Sequence, residues 1–138
     1  MTTVVTQLSG ELRLLSYLAL LCLSLWSPYI IAAISVRGLR RVVGYPTGLY
    51  TDLPNWAQRC QRAHQNLIEN LVPFGILVLI AHVTNVSNEI TLLGTQMFFW
   101  ARLGHAITTI AAVPWLRTAA FFAGWVGCVI IFWQIMVG

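Results

Sequence analysis

Long runs of apolar residues, separated by short polar segments, organise the whole chain. These runs cover residues 12–36, 57–83, 89–113 and 115–137. Each is long enough for a membrane-spanning helix, which needs roughly 20 apolar residues. Because the runs and their connections use almost the entire length, the pattern predicts one all-α integral membrane domain over residues 1–138, built as a four-helix transmembrane bundle.

The composition agrees with this pattern. Hydrophobic residues make up 58% of the chain and charged residues 9%, and the mean hydropathy is +0.76. These values exclude the ordinary soluble globular classes. Membrane lipid is therefore the predicted surroundings of the chain.

The basic residues predict an orientation. All eight are arginine, and five cluster between the end of the first apolar run and the first turns of the second: Arg37, Arg40, Arg41, Arg59 and Arg62. Positive charge marks cytoplasmic loops, which places the 37–56 loop inside and both termini outside. Orientation explains the net charge of +4, so no nucleic-acid partner is predicted.

Local signals refine the helices. Pro28 interrupts the first run, and Ser24 or Ser27 could satisfy the carbonyl that the proline leaves free. Glycine and proline between residues 37 and 56 argue against a regular helix there. Asn88 is a plausible N-cap for the third run. A ridge of small residues, Ala120, Gly124 and Cys128, predicts close helix packing in the fourth run.

The cysteines predict neither a disulfide framework nor a metal site. They are odd in number: Cys22, Cys60 and Cys128. Cys60 and His64 share a helical face, but no second pair of ligands stands nearby. No metal is therefore expected.

Two polar stripes interrupt the apolar helices. Arg62, Asn66 and Glu69 are spaced i, i+4 and i+7, so they share one face of the second helix. Arg102 and His105 begin a similar stripe on the third helix, which Thr109 completes. Charged groups that face lipid cost several kcal/mol, so both stripes must face other helices or a wet cavity.

The stripes come level in depth. At 1.5 Å per residue, Glu69 lies about 15 Å along its helix from Arg59, and Arg102 lies about 18 Å from Pro114. One interpretation is a structural ion pair between Arg102 and Glu69, with Asn66 hydrogen-bonded beside it. The other is a ligand cavity, because the stripes contain more polar groups than one pair requires.

The second helix, which carries the Arg62 stripe, opens with Arg-x-x-Arg-Ala-His-x-Asn-x-x-Glu-Asn over residues 59–70. This segment resembles the signature of the MAPEG family, the membrane proteins of eicosanoid and glutathione metabolism. The resemblance implies a homotrimer with a glutathione site between adjacent subunits, toward the cytoplasmic side. It further implies a glutathione-dependent transferase or peroxidase that acts on hydrophobic small-molecule electrophiles in the membrane.

The resemblance also implies roles for individual residues. The positions that match the family's glutathione-binding pattern are Arg37, Arg62, Asn66, Glu69, Arg102 and His105. Arg117 and Thr118 match the Arg-Ser or Arg-Thr step that opens the fourth helix. Arg117 is the expected thiolate stabiliser, and Thr118 is a hydroxyl donor beside it. The alternative role for Arg117 is an anchor that keeps positive charge at the cytoplasmic end of the fourth helix.

Two departures from the family pattern keep other functions open. Thr109 stands where many catalytic members carry a tyrosine, and Gln65 stands where prostaglandin-type members carry an arginine. A non-catalytic lipid-binding or scaffold protein of the same fold is the first alternative. A small transporter or proton relay that uses Glu69, Arg102 and His105 is less favoured, because the chain shows no inverted repeat.

Overall fold

The computed structural model describes residues 7–45 and 50–138, and these residues fold into helices without a strand. In chain order the helices are α1 (Gly10–Arg37), α2 (Leu39–Val43), α3 (Asn55–Val83), α4 (Glu89–Ile110) and α5 (Pro114–Val137). The four long helices correspond to the four apolar runs. Their ends differ from the predicted limits by only a few residues.

Three helices in the described residues are long and apolar enough to cross a membrane. They are α1, α3 and α5, with 28, 29 and 24 residues. The chain is thus an all-helical membrane protein. Helix α4 carries the Arg102 and His105 stripe and is not among these candidate spans, so the four-span arrangement remains a prediction.

Helix α2 corrects the expectation of an irregular loop. Leu39–Val43 forms one short helix between Gly38 and Gly44. Its five residues include no glycine or proline, so nothing in this stretch prevents a helical turn. Gly38 has a φ of 81°, a left-handed conformation that separates α2 from α1. Residues 46–49 of the predicted loop lie outside the described residues.

The two local predictions at Pro28 and Asn88 are confirmed. The Ser27 hydroxyl donates to the Ser24 carbonyl at 2.8 Å, which is the carbonyl that the missing Pro28 N–H would have bonded. Asn88 Oδ1 accepts the backbone N–H of Thr91 at 3.0 Å, and Thr91 Oγ1 accepts the Asn88 N–H at 2.8 Å. This reciprocal capping box fixes the start of α4.

A buried carboxylate ties the start of α1 to the same turn. Glu11 is 8% exposed, and its Oε1 accepts the Ser87 hydroxyl at 2.7 Å and the Thr91 hydroxyl at 2.9 Å. The sequence patterns gave no signal for this contact, because Glu11 stands outside both polar stripes.

The core lies where α1, α3, α4 and α5 meet. Leu18, Phe74, Phe98 and Ile131 are almost completely buried there. The rings of Phe74 and Phe98 stack with centroids 3.8 Å apart, which joins α3 to α4.

Helices α4 and α5 form the most extensive pair in the fold. A Cβ added at Gly94 would lie 2.7 Å from the Gly127 carbonyl, and one added at Gly127 would lie 2.5 Å from the Gly94 carbonyl. The two backbones therefore touch at these glycines. The predicted ridge located the tight packing in α5, but backbone contact falls at Gly127, whereas Gly124 faces a side chain of α4.

We expect Gly127→Ala to lower the free energy of unfolding by about 1–3 kcal/mol, because its Cβ would overlap the backbone of α4. Gly104→Ala is the matched control in α4, since the nearest atom to its new Cβ is 3.9 Å away. That control should be neutral, or more stable by up to about 1 kcal/mol, through helix propensity. Thermal unfolding in detergent measures both. Equal losses in the two variants would contradict the close approach.

Candidate functional site

The two polar stripes meet at a cavity of about 440 Å³ between α3, α4 and α5, which we call the polar cavity. Six of the predicted site residues line it: Arg62, Asn66, Glu69, His105, Arg117 and Thr118. Arg62, Asn66 and Glu69 come from the helical repeat in α3. Arg117 and Thr118 come from the first turn of α5, which the short connection after α4 brings alongside.

The polar cavity has an exposed charged rim and a buried floor. Arg62, Glu69 and Arg117 are exposed. His105 and Thr109 are 7% and 6% exposed and form the floor. Two guanidinium groups and one carboxylate around one space can pair with a ligand that carries both carboxylates and an amine.

Arg102 lies behind the wall of the polar cavity and is 2% exposed. Its Nη1 donates to Asn66 Oδ1 at 2.9 Å, and its Nη2 donates to the Phe121 carbonyl at 3.1 Å. The guanidinium carbon lies 5.2 Å from the ring centroids of Phe98 and Phe121. Among the described residues its Nε has no hydrogen-bond partner. Arg102 thus holds Asn66 in place at the cavity.

The predicted ion pair between Arg102 and Glu69 is wrong. Glu69 Oε1 accepts a hydrogen bond from Gln65 Nε2 at 3.1 Å on its own helix, whereas Arg102 turns toward α5. Gly124 allows this turn, because a Cβ there would lie 2.6 Å from Arg102 Nη2. The predicted hydrogen bond from Arg102 to Asn66 is present.

Arg117 and Thr118 differ in how free their polar atoms are. Within the described residues the Arg117 side chain forms no hydrogen bond, so its donors can bind a ligand. The Thr118 hydroxyl donates to the Pro114 carbonyl at 3.1 Å. It must rotate about its Cα–Cβ bond before it can donate to a group in the cavity.

Arg37 is not brought to the polar cavity within one chain. It forms an ion pair with Asp52, in which Arg37 Nε donates to Asp52 Oδ2 at 2.7 Å. Its guanidinium also lies 5.2 Å from the Tyr50 ring centroid. These groups line a separate cavity of about 200 Å³. The hydrogen bond from Arg37 holds the pKa of Asp52 below its usual range.

His64 faces α1, away from the polar cavity. Its Nδ1 lies 2.8 Å from the Tyr29 hydroxyl, and its Nε2 lies 3.9 Å from Cys22 Sγ. No group of three metal-ligating side chains is found in residues 7–45 and 50–138. His64 therefore belongs to the packing of α1 on α3.

The MAPEG family model matches residues 16–137 of the 138-residue chain. The chain belongs to the MAPEG family. The match confirms the resemblance of the 59–70 segment and extends it over nearly the whole protein. No curated protein matches the chain. Membership of the family makes this chain a membrane protein of the glutathione and eicosanoid metabolism family.

Two residues at the polar cavity and its wall were not expected from the sequence. Phe121 lines the polar cavity and supplies a backbone carbonyl to Arg102. Gly124 provides the space for the guanidinium. An apolar ring and a glycine in an apolar run carry no polar signal, so only the three-dimensional arrangement reveals their roles.

The Asn66 contact to Arg102 can be measured by a double-mutant cycle. Asn66→Ala should cost about 1–3 kcal/mol of unfolding free energy, because it removes an acceptor from a buried cation. Arg102→Met removes the cation and keeps the volume, so it should be near neutral or stabilising.

Adding Asn66→Ala to the Arg102→Met protein should then cost less than about 1 kcal/mol. Gln65→Ala, on the exposed face of α3, is the control and should change stability little. Additive losses across the cycle would argue against the hydrogen bond.

Proposed function

We propose that this protein is a membrane-bound glutathione-dependent transferase or peroxidase that acts on hydrophobic electrophiles dissolved in the bilayer. The observation that carries the proposal is the polar cavity, where Arg62, Arg117 and Glu69 meet beside Asn66 and His105. Membership of the MAPEG family selects glutathione among the anionic ligands that such a cavity suits.

Glutathione has two carboxylates, one amine and one thiol, and the polar cavity offers a partner for each. The Arg62 fork pairs with a carboxylate, and the Glu69 carboxylate takes the amine. Asn66 and His105 supply further hydrogen bonds at the floor. Arg102 acts on the ligand through Asn66, which it holds in one orientation.

Arg117 is our choice for the group that stabilises the glutathione thiolate. A nearby cation lowers the pKa of a thiol, and arginine keeps its charge at any working pH. The thiolate sulfur attacks an electrophilic carbon, a C–S bond forms, and the leaving group departs with the bonding electron pair. Thr118 donates its hydroxyl to the sulfur after rotating away from Pro114.

We propose further that the active unit is a homotrimer of four-span subunits. The 37–56 loop would lie in the cytoplasm and both termini outside. Arg37 lines a different cavity from Arg117 in one chain, so it can join the glutathione site only from a neighbouring subunit. In that arrangement each site combines Arg37 of one subunit with Arg62 and Arg117 of the next.

One observation favours a non-catalytic lipid-binding or scaffold role. Many catalytic relatives have a tyrosine where this chain has Thr109, whose Oγ1 lies 3.5 Å from His105 Nδ1 on its own helix. Among the described residues that line the cavity, none supplies an aromatic hydroxyl that could reach the sulfur. Glutathione binding without turnover in the native protein would support this alternative.

Arg117→Ala should reduce conjugation of a chromogenic aryl halide by about 100-fold or more, because it removes the charge beside the sulfur. Calorimetric binding of glutathione should persist through Arg62, Asn66 and Glu69. Arg117→Lys should retain part of the activity, and Arg40→Ala, outside the polar cavity, should retain all of it.

The ultraviolet absorbance of the bound thiolate shows whether Arg117 stabilises the thiolate or only anchors the helix at the membrane surface. An unchanged thiolate signal in Arg117→Ala would leave this residue only as an anchor at the membrane surface. A native protein that binds no glutathione would overturn the proposed function itself.

Subunit complementation tests the placement of Arg37. Arg37→Ala and Arg117→Ala subunits should each be inactive as homotrimers. When the two are co-expressed with different tags and purified through both, sites that combine an intact Arg37 with an intact Arg117 should regain a measurable fraction of native activity. Mixed assemblies without activity would argue that both arginines act within one subunit.

A further inference from the structure

A second cavity, of about 280 Å³, lies where α3 begins, α4 ends and α5 begins. Three guanidinium groups line it, those of Arg59, Arg62 and Arg117, and we call it the arginine cavity. It adjoins the polar cavity, with which it shares Arg62 and Arg117. Arg59 lines the arginine cavity but not the polar cavity.

The chain supplies no negative charge to this cavity in its described part. It has only four acidic residues, which are Glu11, Asp52, Glu69 and Glu89. Asp52 is paired with Arg37, and Glu69 lines the polar cavity and bonds Gln65. Glu11 and Glu89 stand at the opposite ends of their helices from the arginine cavity. Three cations without a carboxylate attract an external anion.

Arg59 is held in place for such an anion. Its Nε donates to the Ile110 carbonyl at 2.8 Å. That carbonyl cannot receive the usual helical bond, because the residue four positions later is Pro114. Among the described residues the terminal nitrogens of Arg59 form no hydrogen bond. Two donors on a fixed planar fork match two oxygens of a phosphate.

The remaining wall and the position of the cavity indicate an amphipathic ligand. Ala112, Val113 and Pro114 form an apolar side of the cavity. At the same end of the molecule, Trp56 and Trp115 are 46% and 86% exposed, as expected for aromatic residues at a membrane interface. The exposed tryptophans match the depth of lipid headgroups, and the apolar side of the cavity offers a surface that acyl chains can cover.

We propose that the arginine cavity binds the phosphate of an anionic phospholipid headgroup. The phosphate pairs with the Arg59 fork and lies in the field of Arg62 and Arg117, while the acyl chains run along the apolar surface beside Val113. This site adjoins the proposed glutathione site and shares Arg62 and Arg117 with it, but Arg59 lines only the arginine cavity, and occupancy of that cavity does not require catalysis.

The full-length protein in neutral detergent is titrated with phosphatidylglycerol, phosphatidylcholine or inorganic phosphate. Thermal unfolding and native mass spectrometry report binding. Phosphatidylglycerol should raise the unfolding midpoint more than phosphatidylcholine. Arg59→Gln should weaken phosphatidylglycerol binding roughly fivefold or more, the weight of one basic residue beside an anionic headgroup. Arg40→Gln, an arginine outside both cavities, should bind as the native protein does.

A second pair of variants tests the site independently of whether Arg59→Gln folds. Ala112 has a φ of 60°, a conformation that asparagine and aspartate both adopt readily. Ala112→Asp places a carboxylate in the cavity and should weaken phosphatidylglycerol binding, whereas Ala112→Asn, of nearly the same shape, should preserve it. Because the two differ only in charge, a loss confined to Ala112→Asp supports the site even if Arg59→Gln is unstable.

Three outcomes would overturn the proposal. The first is equal binding of phosphatidylglycerol and phosphatidylcholine. The second is equal weakening in Arg59→Gln and Arg40→Gln, or in Ala112→Asp and Ala112→Asn, which would indicate general surface attraction or a local packing effect. The third is a full stabilisation by inorganic phosphate at the same concentration, which would assign the cavity to a free anion.

Discussion

The arrangement of the site depends on how one buried cation is satisfied. Arg102 is 2% exposed and has no carboxylate partner among the described residues, so its stability rests on hydrogen bonds and aromatic faces. Asn66 on α3 and the Phe121 carbonyl on α5 provide the bonds. A single side chain of α4 therefore connects the three helices that enclose the polar cavity. Loss of the Asn66 bond would leave this buried charge with one hydrogen bond and two aromatic rings.

In the polar cavity, the residues that are available to a ligand differ from the residues that support the site. The exposed groups at its rim, Arg62, Glu69 and Arg117, are available to a ligand. Arg102 is buried, bonds Asn66 and the Phe121 carbonyl, and supports the cavity from behind through Asn66. This division follows the two stripes: Arg62 and Glu69 of the α3 stripe are exposed at the open side of the cavity, whereas the α4 stripe is buried against neighbouring helices.

Much of the fold could be predicted because apolar length and helical periodicity are properties of local sequence. The runs gave the long helices, the spacing of Arg62, Asn66 and Glu69 gave their shared face, and Asn88 gave a helix start. The partner of Arg102 could not be predicted in the same way. Periodicity indicates which face of the helix a side chain occupies. The partner of a long, flexible arginine depends also on the space around it. Here Gly124, on another helix, provides that space.

The pairing of Arg37 with Asp52 could not be predicted from the sequence for a similar reason. The two residues are separated by a connecting segment whose course is not specified by a repeating pattern. The short helix α2 also lies in this segment. The prediction of an irregular loop rested on the high content of glycine and proline in the whole segment. It did not consider separately the five-residue stretch that contains neither residue and forms α2.

The glycine contact between α4 and α5 bears on how the protein can move. Because the backbones touch at Gly94 and Gly127, with no side chain between them that could change its rotamer, we expect these two helices to move as one body. Helix α3 packs on that body through side chains, of which the stacked Phe74 and Phe98 rings are an example. Side chains can change rotamer, whereas touching backbones cannot yield. We therefore expect expansion of the polar cavity around a bulkier ligand to come from displacement of α3, while α4 and α5 keep their positions.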